Sequence, residues 1–577
     1  MTGGLLNIVS FGNQNVILNG NPKKTFFKST YAKYTNFGLQ KFRIDFTGQR
    51  SLRLSTDSKF TFYMPRYADL LMDTYVVVTL PTIWSPIMPP SSCSENWAPY
   101  EFRWIENLGT QMIKEIVISV GGQTLQVLTG KYLLGLVQRD FINDKKKLYD
   151  EMSGNIPELN DPGNSGSRIN TYPNAYYTTL AQGSEPSIRS RKLYIPINAW
   201  FTLSSKMAFP LIALQYNQLQ IDVIMRPIQD IYTIRDVMDP ANGWPIVRPN
   251  YTKEYMQLYR FLQSPPSVSL AADTYQNPAQ SEWNADIHLV STYGFLSNDE
   301  AKVFAANEQK YLIKSAYEWN FNNVTGSQRV WLENTLGMVS SWMFFFQRSD
   351  INLRNQWSNY TNWPYGYLPV DVVPAPVNPL TDYGGQYGYG ALDLPCVPAP
   401  PIGVGPNIGP GYNPVTALNT GYFVTQPFNV ENQRDILLNL GILLDGKYRE
   451  SPLDAGIFNY VEKYVRTKGN APDGLYCYNF CLDTDPFMIQ PSGALNTSKF
   501  SNVQFEFTTF YPPLDPQANF LTICDSQTNP LTGEPIPIGV NKPVWRIYDY
   551  NYNLVILEDR FNVVTFMSGN VGLMYAR

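Results

Sequence analysis

Histidine occurs once in 577 residues, at His288, and cysteine five times, at Cys93, Cys396, Cys477, Cys481 and Cys524. Charged residues make up 16% of the chain, against about 25% in ordinary globular domains. No apolar run approaches the roughly twenty residues of a membrane-spanning helix, so no transmembrane segment is expected. The opening residues lack the basic stretch and apolar core of an export signal, and Thr2 breaks the Met-Gly pattern of N-myristoylation. Few, scattered and odd-numbered cysteines in such a chain predict free, mostly buried thiols in a reducing compartment.

These scarcities exclude most chemistry. A Ser-His-Asp or Cys-His arrangement could be built only on His288, which sits in strand-like sequence between Ile287 and Leu289, where a satisfied structural histidine is the plainer reading. His/Cys metal sites are starved for the same reason. Cys477 and Cys481, if both on one strand face, would stand about 13 Å apart, too far for one zinc ion. Gly130-Lys131 and Gly446-Lys447 are each followed by Tyr and lack the glycine spacing of a phosphate loop. Paired acids such as Asp483 and Asp485 are common by chance, and EF-hand spacing is missing. The reading is no enzyme: no catalytic, cofactor-binding or metal residues, and no cofactor. The net charge of −4 argues against a nucleic-acid coat, which carries a basic face. Lys145-Lys146-Lys147 lies among acids in FINDKKKLYDE and reads as a solvated loop.

What the chain does hold is rings and turn-formers: 14% aromatic residues, 44 Pro and 39 Gly. Its length predicts two or more domains. Period-two alternation recurs, with Phe42, Ile44 and Phe46 against Lys41, Arg43 and Asp45, then Phe60, Phe62 and Met64. DTYVVVTLP reads as a buried strand. Gly121-Gly122 predicts a tight hairpin turn after Ile116, Ile118 and Val120. GKYLLGLVQRDFIN reads as a short helix, and RKLYIPINAWFT and LIALQYNQLQIDVIM as further strands. From 285 onwards the plan repeats: ADIHLVSTYGFL as a strand, and a helix started by the Ser297/Glu300 capping box. There follow a strand presenting Trp342, Phe344 and Phe346, a hairpin at Asp445-Gly446, and a strand alternating Val503, Phe505 and Phe507. Many short strands without βαβ alternation predict an all-β sandwich or barrel, and the echoed order of elements points to a duplicated domain. Long loops are expected at 84–104, 144–190, 349–430 and 511–546.

The first forty residues organise the rest. Phe26, Phe27, Tyr31, Tyr34 and Phe37 recur every three to four positions in FFKSTYAKYTNF, with Lys28 and Lys33 between them. That spacing suits a turn or two of helix, or an arm laid on a surface. GGLLNIVSFGNQNVILNGNPKKTFFKSTYAKYTNF resembles the opening of the major capsid proteins of nucleocytoplasmic large DNA viruses, and FNVVTFMSGNVGLMYAR resembles their terminal strand and tail.

The resemblance implies two tandem eight-stranded jelly rolls: an N-terminal arm at 1–37, a first jelly roll at 38–228, a linker and start of the second domain at 229–284, and a second jelly roll at 285–577. It implies a structural protein of the virion, assembled in the host cytoplasm. Its homotrimers would form pseudo-hexagonal capsomers that meet neighbouring capsomers, minor capsid proteins and penton proteins. The arm, with Phe26, Phe27, Tyr31, Tyr34 and Phe37 as assembly contacts, would lie at the capsomer base near an internal virion membrane, with no direct nucleic-acid contact. Sequons at Asn250, Asn323, Asn359 and Asn496 are candidate glycan acceptors, Asn359 foremost because it lies in the largest insertion. The rival reading is a jelly-roll carbohydrate-binding protein or glycoside hydrolase, whose chemistry needs two opposed carboxylates.

Overall fold

The computed structural model describes residues 3–48, 51–85, 87–88, 98–168, 172–173, 185–238, 246–263, 283–333, 336–363, 434–511, 521–528, 535–541 and 549–575. Eight strands build the first unit: β1 (Phe37–Asp45), β2 (Ser58–Tyr63), β3 (Leu70–Leu80), β4 (Ile113–Val120), β5 (Gln123–Thr129), β6 (Arg191–Pro196), β7 (Leu219–Met225) and β8 (His288–Leu296). They pair antiparallel in two sheets, β1-β8-β3-β6 and β2-β7-β4-β5. The second unit has β9 (Gln309–Phe321), β10 (Ser327–Leu332), β11 (Met338–Arg348), β12 (Leu437–Leu444), β13 (Lys447–Asp454), β14 (Leu475–Asn479), β15 (Val503–Thr509) and β16 (Tyr552–Met567). Its sheets are β9-β16-β11-β14 and β10-β15-β12-β13. Numbered within each unit, both orders are 1-8-3-6 and 2-7-4-5. The fold is all-β, two jelly rolls with the same wiring.

Local sequence explains the turns. Gly121 and Gly122 have φ of 58° and 83°, and Asp445 and Gly446 have 48° and 77°, the left-handed pairs that a two-residue hairpin needs. Ser297 does precede a helix, Asn298–Ala306, but its side chain makes no capping hydrogen bond, so the expected capping box does not form.

The boundary between the units lies later in the chain than the sequence implied. The strand at 288–296, assigned above to the second domain, is β8 and pairs with β1 along its length, Phe37 opposite Leu296 through Asp45 opposite His288. Ile231, Tyr232 and Ile234, assigned to the linker, are also in the first core. The last strand of a jelly roll returns beside the first, a pairing between distant segments that local alternation does not reveal. The region 144–190 is also corrected: Asn143–Ser153 is a helix. In it Lys145 stacks over the Phe487 ring at 3.5 Å and Lys146 donates to the Asn470 carbonyl at 3.2 Å. Burial pushes the pKa of both lysines down. Most of the expected loops at 84–104, 349–430 and 511–546 lies outside the described residues, as do Cys93 and Cys396.

Packing joins the units. On β11, Trp342, Phe344 and Phe346 fill the second sandwich with Phe505 and Phe507. Met343 and Phe345 point the other way and join Leu557 in the core of the first unit. Every residue of β11 but the first is therefore buried, the signature of a strand covered on both faces.

Candidate assembly surfaces

Two short helices, Gly3–Val9 and Asn15–Asn19, open the arm, and neither has a buried residue. Residues 26–36 form no helix, so the helical reading of the ring spacing is not met. Nor do the rings lie on their own chain: Phe26, Phe27, Tyr31 and Tyr34 are 85–98% exposed, and Phe37, at the start of β1, is exposed too. Among the described residues the one charged side chain over a ring of this group is a near neighbour in sequence, Lys24 over Phe26 at 5.6 Å. Leu18 and Ile17 are equally bare. Covering one such ring is worth about 1.5–3 kcal/mol. A contiguous uncovered apolar segment of this kind marks a surface that meets another molecule.

The second surface is the junction between the units, and sequence reading missed it. After β5 the chain enters a helix, Gly130–Asp140, capped by Thr129, whose hydroxyl oxygen accepts from the Tyr132 N–H at 3.3 Å. This helix lies on the outer face of the β9-β16-β11 sheet. Its Arg139 is fully buried and donates to Asp140 at 2.7 Å, to Asp559 on β16 at 3.0 Å, and to Ser341 Oγ on β11 at 3.0 Å. The Tyr132 hydroxyl donates to the second Asp559 oxygen at 2.7 Å, and the Thr484 hydroxyl to Asp140 at 2.5 Å.

Burial pushes both carboxyls up, but the outcomes differ. Arg139, Lys314 and the Tyr132 and Ser341 hydroxyls overcome that push at Asp559 and hold it below the usual carboxylate range. At Asp140 burial outweighs Arg139 and the pKa is raised. A sequence shows Arg139-Asp140 as an ordinary charged pair; only the placement of Asp559 makes it a sealed network.

The start of the large insertion belongs to this junction as well. Trp357 Nε1 donates to the Asp230 carbonyl at 2.9 Å, Asn355 Nδ2 to the carbonyls of Gln229 and Tyr232 at 2.8 Å each, and the Arg226 guanidinium stacks on Trp357 at 4.2 Å. Asn359 is buried here. Its amide nitrogen donates to Gln356 Oε1 at 3.0 Å and to the Trp363 carbonyl at 2.8 Å, so the folded chain offers no free amide for a glycan. This overturns the preference for Asn359; the expected exposed loop begins as packed structure. Asn250 and Asn323 are exposed and Asn496 is half-buried.

The structure gives the residues weighed for chemistry these surroundings. His288 is buried, with Nδ1 2.7 Å from the Asp286 carbonyl oxygen. Cys477 and Cys481 are free and buried, and burial pushes the Cys477 thiol up to about 11. Asp483 and Asp485 both pair with Lys468, at 3.5 and 2.5 Å. A cleft at the junction lined by Gln126, Asn198, Trp200, Lys314, Met488 and Phe561, among others, contains no carboxylate. Among the described residues no group of three His, Cys, Asp or Glu is placed to hold a metal ion, and no helix is long and apolar enough to cross a membrane.

Comparison with known proteins agrees with this architecture. Residues 25–254 match the family model for the major capsid protein N-terminus, and residues 300–529 that for the large eukaryotic DNA virus major capsid protein. The chain is 25% identical to the major capsid protein of Phaeocystis pouchetii virus, with 100% of both chains covered. It is 29% identical to that of Chrysochromulina ericina virus, over 54% of this chain and 52% of the relative. Among solved structures, VP54 of PBCV-1 aligns with a TM-score of 0.56 at 19% identity, covering 96% of this chain and 100% of that one. The Faustovirus major capsid protein aligns at 0.55 and 12% identity, covering 98% and 96%. Two consecutive family models, full-length relatives and a duplicated jelly roll of matching fold together place this chain in the family of major capsid proteins of large eukaryotic DNA viruses.

Proposed function

We propose that this chain, a non-enzymatic structural component of a virion shell, works as a homotrimer whose six jelly rolls form a pseudo-hexagonal capsomer. The observation that carries the reading is the identical strand order of the two units within a capsid-protein family. Three copies would present six similar walls, and a closed ring of similar walls tiles a lattice with few distinct contacts. Low charge and abundant Tyr, Phe and Trp suit buried contacts between copies. The uncovered arm then meets neighbouring capsomers, minor capsid or penton proteins at the capsomer base, on the side of an internal membrane, in particles built in the host cytoplasm. The acidic balance of the whole chain disfavours nucleic acid. Asn250 and Asn323 are the sequons left open to glycans, tested by peptide mapping of virion protein.

The purified chain is expected at three times 65.6 kDa by light scattering. Deleting residues 1–24, or replacing Phe26, Phe27, Tyr31 and Tyr34 by Ser, should leave that trimer intact and abolish shell assembly in electron micrographs. Normal shells from the Ser variant would refute the role of the arm; a monomeric wild-type protein would refute the trimer.

A further inference from the structure

Among the described residues Lys463 is the one buried lysine. It sits in the short helix Glu462–Arg466, which continues the π-helical turn Ile457–Val461 between β13 and β14. Wide turns of that kind recur at functional sites. The Lys463 Nζ meets three uncharged oxygens: Oδ1 of Asn459 at 2.8 Å and the carbonyls of Pro472 at 3.0 Å and Ala471 at 3.3 Å. An ammonium buried among neutral acceptors is costly, and burial pushes the Lys463 pKa down. Desolvation of this kind makes a lysine nucleophilic.

Asn459 is buried as well and is held at both ends of its amide. Its Oδ1 accepts from the Gly474 backbone N–H at 3.3 Å in addition to Lys463, and its Nδ2 donates to Asp473 Oδ1 at 3.2 Å. The other Asp473 oxygen faces Arg434 Nη1 at 3.4 Å, which turns the carboxylate so that one oxygen stays on the amide. Phe458, next in the chain, is fully buried in the second core. An amine, a carbonyl with an N–H on its oxygen, and a carboxylate on the leaving nitrogen are the parts that acyl transfer needs.

We infer that Lys463 and Asn459 join in an isopeptide bond formed by the chain itself, with Asp473 carrying the proton. After losing its ammonium proton to solvent, Lys463 keeps two N–H bonds to the Ala471 and Pro472 carbonyls and turns its lone pair to Cγ of Asn459. The N–Cγ bond forms as the carbonyl π pair moves onto Oδ1, where the Gly474 N–H stabilises the charge. Asp473 takes the proton that the attacking nitrogen sheds and passes it to Nδ2. The carbonyl re-forms, the Cγ–Nδ2 bond breaks, and ammonia leaves. An amine and a primary amide have become a secondary amide and ammonia, with no oxidant, metal or further reactant. Well-oriented groups within one molecule react at effective concentrations of about 10⁵–10⁸ M. The product replaces a buried cation by a neutral amide and ties the turn between β13 and β14 covalently.

The test weighs the purified full chain, denatured, by intact-mass spectrometry and then digests it with trypsin. The wild-type chain should weigh less than its sequence by one ammonia. Trypsin does not cut after an acylated lysine, so Glu450–Arg466, which contains Lys463 as its one internal site, should appear as a single peptide lighter by the same amount. Asp473→Asn, folded by near-ultraviolet circular dichroism, should show the full mass of its sequence and be cut after Lys463. Lys463→Arg should likewise keep its full mass. The wild-type measurement decides the bond whether or not either variant folds. A wild-type chain of full mass that is cut after Lys463 would overturn it. Loss of ammonia with cutting after Lys463 retained would mean a succinimide at Asn459 and would overturn it too. A light, uncut Asp473→Asn would overturn the role of Asp473 alone. None of these outcomes bears on the trimer reading.

Discussion

The two jelly rolls have the same strand order and opposite surfaces. On the first unit the outer sheet face is polar and ion-paired: Lys41 reaches Asp73 at 3.4 Å and Arg43 reaches Asp286 at 2.7 Å, all partly solvated. On the second unit the same face carries Met343, Phe345 and Leu557 around a sealed Arg139–Asp559 pair. The exposed pairs contribute roughly 0–1 kcal/mol each. The buried pair is different: water is gone, so losing one partner leaves a charge with nowhere to be solvated. Wiring fixes where a strand lies, while its neighbour decides what that strand must carry.

The comparison can be broken most forcefully at Arg139. Arg139→Ala strands Asp140 and Asp559 in the junction and should cost about 3–5 kcal/mol in urea unfolding, whereas Arg43→Ala on the open face should cost under about 1 kcal/mol. Equal small losses would mean that the two faces do not differ as described. Asp559→Asn sharpens the same contrast through pH. The Asp559 carboxyl is held below its usual range, so its ionised form stabilises the fold above about pH 4, the ordinary value for Asp. That contribution is lost as pH falls through the lowered folded value. The deficit of Asp559→Asn should therefore be full at pH 7 and shrink below pH 4; a deficit constant to pH 2.5 would refute the charged role. Gly469→Ala is a milder probe, since a Cβ there would come within 2.6 Å of the Arg139 carbonyl oxygen, and overpacking costs about 1–3 kcal/mol. Smallest of all, Phe27→Ser in the arm should change the stability of the isolated chain by less than about 0.5 kcal/mol, because the ring is 98% exposed.

Much of the fold could be read in advance where its cause is local. Gly121-Gly122 and Asp445-Gly446 are hairpin turns because positive φ is chemically restricted. Trp342, Phe344 and Phe346 do share the sandwich interior, as period two requires. The misreadings share a different cause. The strand 288–296 was given to the wrong unit because its partner, β1, lies at the far end of the first domain. Asn359 was placed on an exposed loop because Asn and Tyr favour loops, yet Gln356 and Trp363 bind it inside. The arm is legible as a group of rings, but its spacing does not make a helix, since Phe26, Phe27, Tyr31 and Tyr34 are 85–98% exposed and so lack the packing that would hold one.

The sequence by itself determined that this chain folds into strands and that its plan occurs twice, because alternation and turn chemistry act over a few residues. The tertiary structure alone decided where one jelly roll ends, which charges are sealed, and which face of each unit is covered. Those outcomes depend on groups hundreds of residues apart removing water from one another.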